Sequence, residues 1–237
     1  MKIGLFGRGR LGAAIAQEAG DRVVWMIGRE SPPAEAVDVV IDASHANAVV
    51  SHVDWALASG TPLVIGVTGF AMPQLAEHVG QRIGVLVAPN FSLTVALLVR
   101  MTRVLGRFCA QDSGRDPFIV EHHHRMKLDA PSGTAQNLAK VLTAECPRKT
   151  EWTLGSAAEH QLSVGVVRAG AEFGTHTVGV DARAELLTIT HTARSRAAFA
   201  QGALLAADWL LRRKGLYSMD DLAAELLDPL FEVERRS

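Results

Sequence analysis

Apolar residues in this chain come in short, dense runs divided by glycine, proline and charged residues. Residues 2–6 form the first run, Gly7-Arg8-Gly9-Arg10-Leu11-Gly12 follows, and 13–18 is rich in alanine and other helix formers. That order reads as strand, tight turn, helix. The alternation continues with strands expected at 22–27, 37–41, 62–65 and 85–87 and helices near 47–58 and 73–78. Strands alternating with helices imply a parallel sheet with right-handed crossovers, the α/β class.

After Asn90 the pattern changes. A long amphipathic helix is expected at about 93–107, a strand at 118–121 and a helix from Ser132 to about Glu145. Three strand-like runs, 162–167, 175–180 and 186–191, then follow one another. Gly170, Gly174 and Asp181 are the turn signals between them, so an antiparallel meander is expected. A helix at about 196–213 and a short one from Met219 close the chain.

Gly7-x-Gly9-x-x-Gly12 matches the dinucleotide fingerprint and stands after a strand and at the opening of a helix. The first glycine permits the turn, the second lets the backbone approach a pyrophosphate, and the third lets helix and strand pack closely. A tight strand–helix turn without a dinucleotide is the competing reading. Where an acidic residue ~20 positions onward commonly holds the ribose, the chain reads Gly28-Arg29-Glu30. Arg29 suits a 2′-phosphate and so NADPH, Glu30 suits the ribose of NADH, and both as solvated loop charges is the third reading.

The densest chemistry lies in Glu121-His122-His123-His124-Arg125-Met126-Lys127-Leu128-Asp129-Ala130-Pro131-Ser132-Gly133-Thr134-Ala135. In an extended stretch His122 and His124 point one way and His123 the other, so adjacent histidines do not converge on one ion, and no metal ligand set is expected. Ser132 is placed to cap the next helix, and the N–H groups of Gly133 and Thr134 lie at its positive end. That is an anion pocket, with imidazoles and Lys127 upstream to supply a proton and a cation. A capped helix preceded by surface histidines is the alternative.

Charge and composition narrow the field. With 237 residues, 48% hydrophobic, and 24 basic against 25 acidic side chains, the chain suits one large domain or two modest ones. It has no general pull toward nucleic acid or anionic membrane. Cys109 and Cys146 are too few for a disulfide framework, and no apolar run approaches the ~20 residues of a membrane helix. Residues 1–7 reach glycine before the apolar core of a leader could develop, so a cytoplasmic protein is expected.

The segment from Glu121 to Ala135 resembles the signature of the dihydrodipicolinate reductases, also called 4-hydroxy-tetrahydrodipicolinate reductases. Val40-Ile41-Asp42, Gly66-Val67-Thr68-Gly69, Ala88-Pro89-Asn90-Phe91-Ser92, Arg168-Ala169-Gly170, Gly174-Thr175-His176-Thr177-Val178, Ile189-Thr190-His191 and Gly215-Leu216-Tyr217-Ser218-Met219 agree in order. The resemblance implies a Rossmann-like parallel-sheet domain over 1–92 and 206–237. It also implies an inserted α+β domain over 93–205, with an open mixed sheet that binds substrate and builds a homotetramer. NADPH or NADH would reduce the dehydrated cyclic imine of a small dicarboxylate in the diaminopimelate route to lysine. His123 is implied as acid/base with Lys127 assisting, and His124, Ser132, Gly133 and Thr134 as substrate contacts. The cofactor would lie on Gly7, Arg8, Gly9, Arg10, Leu11, Gly12 and Arg29, with Gly66, Val67 and Thr68 and Ala88, Pro89, Asn90 and Phe91 on its nicotinamide side.

The chain departs from the family pattern at Gly7-x-Gly9, where the first glycine spacing is one residue shorter. It departs again at Thr94, at the third imidazole of His122, and between Arg29 and Val37, where a Ser-Pro-Pro linker replaces a helix and strand. The competing functions are a related reductase acting on another small imine or keto acid and a non-catalytic dinucleotide-binding protein.

Overall fold

The structure, a computed structural model, describes residues 1–232. Residues 233–237, the end of the expected 206–237 segment, lie outside the described residues. Contacts divide the chain into two compact units, Met1–Leu93 with Arg196 onward, and Thr94–Ser195. The return to the first unit falls at 196 rather than the expected 206. The reason is physical: a single apolar helix spans that point, and it belongs whole to the core of the first unit.

The first unit is built on strands β1 (Ile3–Phe6), β2 (Val23–Ile27), β3 (Val39–Asp42), β4 (Leu63–Ile65), β5 (Gly84–Val87) and β11 (Gly215–Ser218). They form a six-stranded sheet in the order β11-β5-β4-β3-β1-β2, every pair parallel. Helices cover both faces, and the strands are accordingly almost continuously apolar. Ile3, Leu5, Ile41, Val64 and Leu86 face α1 (Arg10–Ala19), α6 (Ala197–Leu210) and α7 (Met219–Leu227). Phe6, Val40, Leu63, Ile65 and Val85 face α2 (Val49–Ser59) and α3 (Leu75–Val79). Five loops therefore gather at the carboxyl edge, after Phe6, Ile27, Asp42, Ile65 and Val87, where ligands of such sheets bind. Strand β11 has no alternation in Gly215-Leu216-Tyr217-Ser218, and the sequence pattern did not separate it from the turn before α7.

The second unit holds α4 (Leu93–Ala110) after its first residue, β6 (Asp116–His123), α5 (Gly133–Glu145), β7 (Glu151–Leu154), β8 (Gln161–Arg168), β9 (Thr175–Ala182) and β10 (Glu185–Thr192). Its five-stranded mixed sheet has the order β10-β9-β6-β8-β7. One face buries Ile119, Leu162, Val164 and Val178 against Leu98, Leu105, Leu138 and Leu142 of the two helices. The other face leaves Val120 and Val167 exposed.

The expected meander is corrected. Only β9 and β10 form a hairpin, whereas β8 pairs in parallel with β6 and β7. Strand β6 lies between β8 and β9 and bonds to both, so the 169–174 connection must pass over its end. It is tied down there: Ala169 N–H donates to His123 O (3.0 Å), His124 N–H to Glu172 O (2.8 Å) and Arg125 N–H to Gly170 O (3.3 Å). The local glycines gave the turn, and the partner of β8 came from 45 residues upstream, which no local pattern carries. Among the described residues no helix is long and apolar enough to cross a membrane.

Candidate active site

On the first unit the glycine loop closes a tight turn. Gly7 has φ +101°, its N–H donates to Ile27 O at 2.8 Å, and a Cβ there would lie 2.5 Å from the Ala43 carbonyl oxygen. A Cβ on Gly12 would collide with Gly7 O at 2.0 Å, so α1 packs against the turn as the fingerprint requires. Gly9 is different, because a Cβ at that position would meet no protein atom within 4 Å. It sits at the N-cap of α1, where no side chain caps the free N–H groups. The space beside Gly9 and the positive end of α1 fit a pyrophosphate. Arg10 is exposed and Leu11 half-buried at this helix start.

Beside the loop lies a cleft of about 470 Å³ lined by Phe6, Gly28, Arg29, Glu30, His52 and Trp55 among others. The acidic residue expected there is already engaged: Arg8 Nη1 donates to Glu30 Oε1 and Gly28 N–H to Glu30 Oε2, both at 2.6 Å. Its own backbone N–H, that of Gly28 and then Arg8 hold the Glu30 carboxyl down to about 2. Thus Arg8 turns to Glu30, and Arg29 lines the cleft at the end of β2. The cleft floor is also organised: buried Asp42 bonds His52 Nδ1 at 2.7 Å, and the His52 ring stacks on Phe6 at 3.7 Å.

Gly66, Val67 and Thr68 follow β4, and Ala88, Pro89 and Asn90 follow β5, at the same carboxyl edge. Phe91 is only 2% exposed and belongs to the core, its ring 2.5 Å from where a Gly66 Cβ would be. Its role is to seat the two loops by packing. Asn90 Oδ1 accepts the Ser92 N–H at 2.9 Å.

On the second unit, burial alternates along β6 so that Ile119, Glu121 and His123 share the covered face. His122 Nε2 turns instead to Ala169 O (3.1 Å), and His124 lies half-buried just past the strand. Across the strand register Glu121 faces His176 of β9, which in turn faces His191 of β10. The imidazoles of His123 and His176 meet edge to face, 5.1 Å between centroids.

Glu121 is fully buried. Its Oε1 accepts from Ser132 N–H (2.9 Å) and Arg168 Nη2 (2.6 Å), while Oε2 lies 3.5 Å from both His123 Nδ1 and His176 Nε2. Burial alone would raise this carboxyl, but His176, Ser132 and Arg168 outweigh it and hold it well below the usual range. Burial, with His176 alongside, pushes His123 down to about 4 against the pull of Glu121. Oε2, His123 Nδ1 and His176 Nε2 lie within 4.8 Å of one another, a spacing a metal could use. Arg168 already supplies the positive charge on that carboxylate, and a second cation beside it would be repelled, so the cluster reads as a hydrogen-bonding one.

Ser132 links this cluster to the anion pocket. Its Oγ accepts the Ala135 N–H (3.2 Å) as the N-cap of α5 and sits 3.1 Å from His176 Nε2. Gly133 is exposed, and a Cβ there would meet nothing within 4 Å, leaving room for an anion at the helix start beside Thr134. Lys127 Nζ bonds both carboxylate oxygens of Asp129, at 2.8 and 2.9 Å, and its charge also acts on His123. The structure thus gathers His123 and Ser132 at one cluster, and sets Gly133, Thr134 and Lys127 close along the chain. The sequence reading gave His176, Glu121 and Arg168 no site role. Their signal was present only for Glu121, two residues before His123 and hence on its face of the strand.

The N-terminal family model of dihydrodipicolinate reductase matches residues 24–91, and the C-terminal model matches 94–223. The chain belongs to the dihydrodipicolinate reductase family. It is 38% identical over 197 residues to the 4-hydroxy-tetrahydrodipicolinate reductase of Syntrophobacter fumaroxidans, covering 78% of this chain and 73% of that protein. Against the Gluconobacter oxydans protein of the same name it is 36% identical over 241 residues, covering 93% and 96%. Among solved structures, a dipicolinate-bound dihydrodipicolinate reductase from Paenisporosarcina sp. TG-14 shares the fold, with a TM-score of 0.75 at 20% identity over 94% of this chain and 99% of that one. These relatives are oxidoreductases, and the α/β class with a parallel and a mixed sheet is that of the family. The glycine loop lies ahead of the matched residues, so its assignment rests on the turn geometry above.

A depressed carboxyl makes stability depend on pH in a definite direction. The contribution of Glu121 is complete above the unfolded carboxyl value of ~4.3 and drains away as the pH falls below it toward the folded value. Glu121→Gln is expected to lose about 3–5 kcal/mol at pH 7. In urea unfolding, the gap to wild type should narrow between pH 5 and about 3. A gap that stays constant with pH would show that the charge is not what stabilises.

Proposed function

We propose that this chain is an NAD(P)H-dependent 4-hydroxy-tetrahydrodipicolinate reductase, forming tetrahydrodipicolinate from the dehydrated cyclic imine on the diaminopimelate route to lysine. The observation that carries the reading is the placement of buried His123 3.5 Å from Glu121, whose other oxygen bonds Ser132, the cap of the helix whose N-terminus is open to an anion. The cofactor is assigned to the unit Met1–Leu93 with Arg196 onward and the substrate to Thr94–Ser195. When bound, NADPH or NADH supplies the hydride. Arg29 lines the cleft for a 2′-phosphate, and Glu30, whose two oxygens already accept from Arg8 and Gly28, keeps a lone pair on each for ribose hydroxyls, so both forms of the cofactor are accommodated.

The chain's own residues do the rest. Gly133 and Thr134 present backbone donors to a substrate carboxylate at the start of α5, where the helix dipole favours negative charge. Lys127 adds a cation and His124 a substrate contact. His123 gives the proton that completes the reduction. Neutral in the unliganded site, it gains proton affinity when a dianionic substrate settles beside it, because a nearby negative charge favours the imidazolium. The exposed face of the mixed sheet, with Val120 and Val167, is the surface on which a homotetramer would assemble.

The test is a coupled assay on the product of dihydrodipicolinate synthase, following NADH and NADPH oxidation separately. His123→Ala is expected to lower kcat about 10²–10⁴-fold, and Lys127→Ala to lower it while raising KM. Wild type that binds cofactor and yet oxidises neither form faster than the two variants would end the reductase reading. Native mass at micromolar concentration tests the assembly independently: four copies are expected, and a monomer contradicts it.

A further inference from the structure

The proton inventory around His123 points to a division of labour inside the buried cluster. Glu121 Oε1 is satisfied by Ser132 N–H and Arg168, whereas Oε2 is sealed and no donor reaches it in bonding geometry. Two imidazole nitrogens face it, both at 3.5 Å. They are not equivalent. The Ser132 hydroxyl accepts from Ala135 N–H and lies 3.1 Å from His176 Nε2. His176 Nε2 therefore has two polar atoms to bond, the Ser132 hydroxyl and Oε2. His123 Nδ1 has only Oε2 to face: it is buried without another partner, and a bare nitrogen there would set its lone pair against the carboxylate, so the proton belongs on that side of the ring.

The other side of the ring agrees. Gly174, at φ +150°, lies against His123 Nε2, and a Cβ there would stand 2.8 Å from that nitrogen. Any side chain in that place would crowd Nε2, so the glycine keeps it clear.

We propose that Glu121 is the positioning residue of His123: it takes the Nδ1 proton, fixes the ring and leaves Nε2 as the nitrogen that works on the substrate. The inference rests on the reading of His123 as the acid/base group. The charged and titratable groups facing His123 are Glu121 on its own strand, His176 on β9, Arg168 on β8 and Lys127 in the segment after β6, with His191 of β10 behind His176. Among them Glu121 is the only negative charge, so it is the group that favours the imidazolium.

The experiment is the pH profile of kcat and KM for wild type, Glu121→Gln, Glu121→Asp and His176→Gln, with His123→Ala alongside. A general acid makes kcat fall as pH rises through its pKa. Loss of the negative charge in Glu121→Gln disfavours the imidazolium, so that alkaline limb is expected to move to lower pH by about one pH unit. The same variant should lose about 10–100-fold in kcat with KM within about threefold of wild type. Glu121→Asp keeps the charge and should return the limb toward its original place, while His176→Gln should not move it downward. An unmoved limb in Glu121→Gln, or an equal downward movement in His176→Gln, would make Glu121 structural only. Should Glu121→Gln fail to fold, Glu121→Asp decides: kcat lowered about tenfold at unchanged KM supports the proposal, and wild-type kcat overturns it. If His123→Ala instead keeps wild-type kcat, it is the acid/base assignment that fails.

Discussion

A carboxylate with no solvent exposure must be met on both oxygens, and in this protein Glu121 draws the second unit together around that need. Its partners come from four places: Ser132 at the head of α5, Arg168 at the end of β8, His123 on its own strand and His176 on β9. Arg168 also donates to Asp129 O at 2.7 Å, so the segment from the histidines to the helix is held at both ends. The order of the sheet follows from the same requirement. Strand β6 has to lie between β8 and β9 for one carboxylate to reach residues of both, and the 169–174 connection crosses over its end.

The two units present an anion with the same device, an open helix N-terminus rather than stored positive charge. A net charge of −1 leaves no broad positive field, so recognition must be local. In the first unit Gly9 leaves open space at the start of α1. In the second, Gly133 leaves it at the start of α5, where Ser132 caps the chain from the side. At both positions glycine leaves open the space a side chain would fill. Gly7 and Gly12 need it for the opposite reason, close packing of backbone on backbone.

What was legible in the sequence was what local pattern encodes. The apolar runs named β1 to β5, the glycine spacing placed the turn, and Ser132-Gly133-Thr134 marked the head of α5. What was not legible depends on partners distant in the chain. Strand β7 reads as four mostly exposed residues, Glu151 to Leu154, and exists because β8 offers it a parallel edge. His176 looks like one more residue of a β-strand until the register brings it opposite Glu121. Arg8 resembles a phosphate ligand in the glycine loop, yet its guanidinium turns to Glu30 and Met26 O. Sequence shows which groups are present; the pairing of strands decides which of them share a proton.

The working face of His123 depends on one proton, and the imidazole ¹⁵N spectrum of His123 in the wild-type protein at pH 7 observes it directly. Nδ1 beside Glu121 is expected to be protonated and pyrrole-type, and Nε2 bare and pyridine-type. A proton on Nε2 with Nδ1 bare would contradict it, because the carboxylate would then have no proton to hold and His123 no fixed working face.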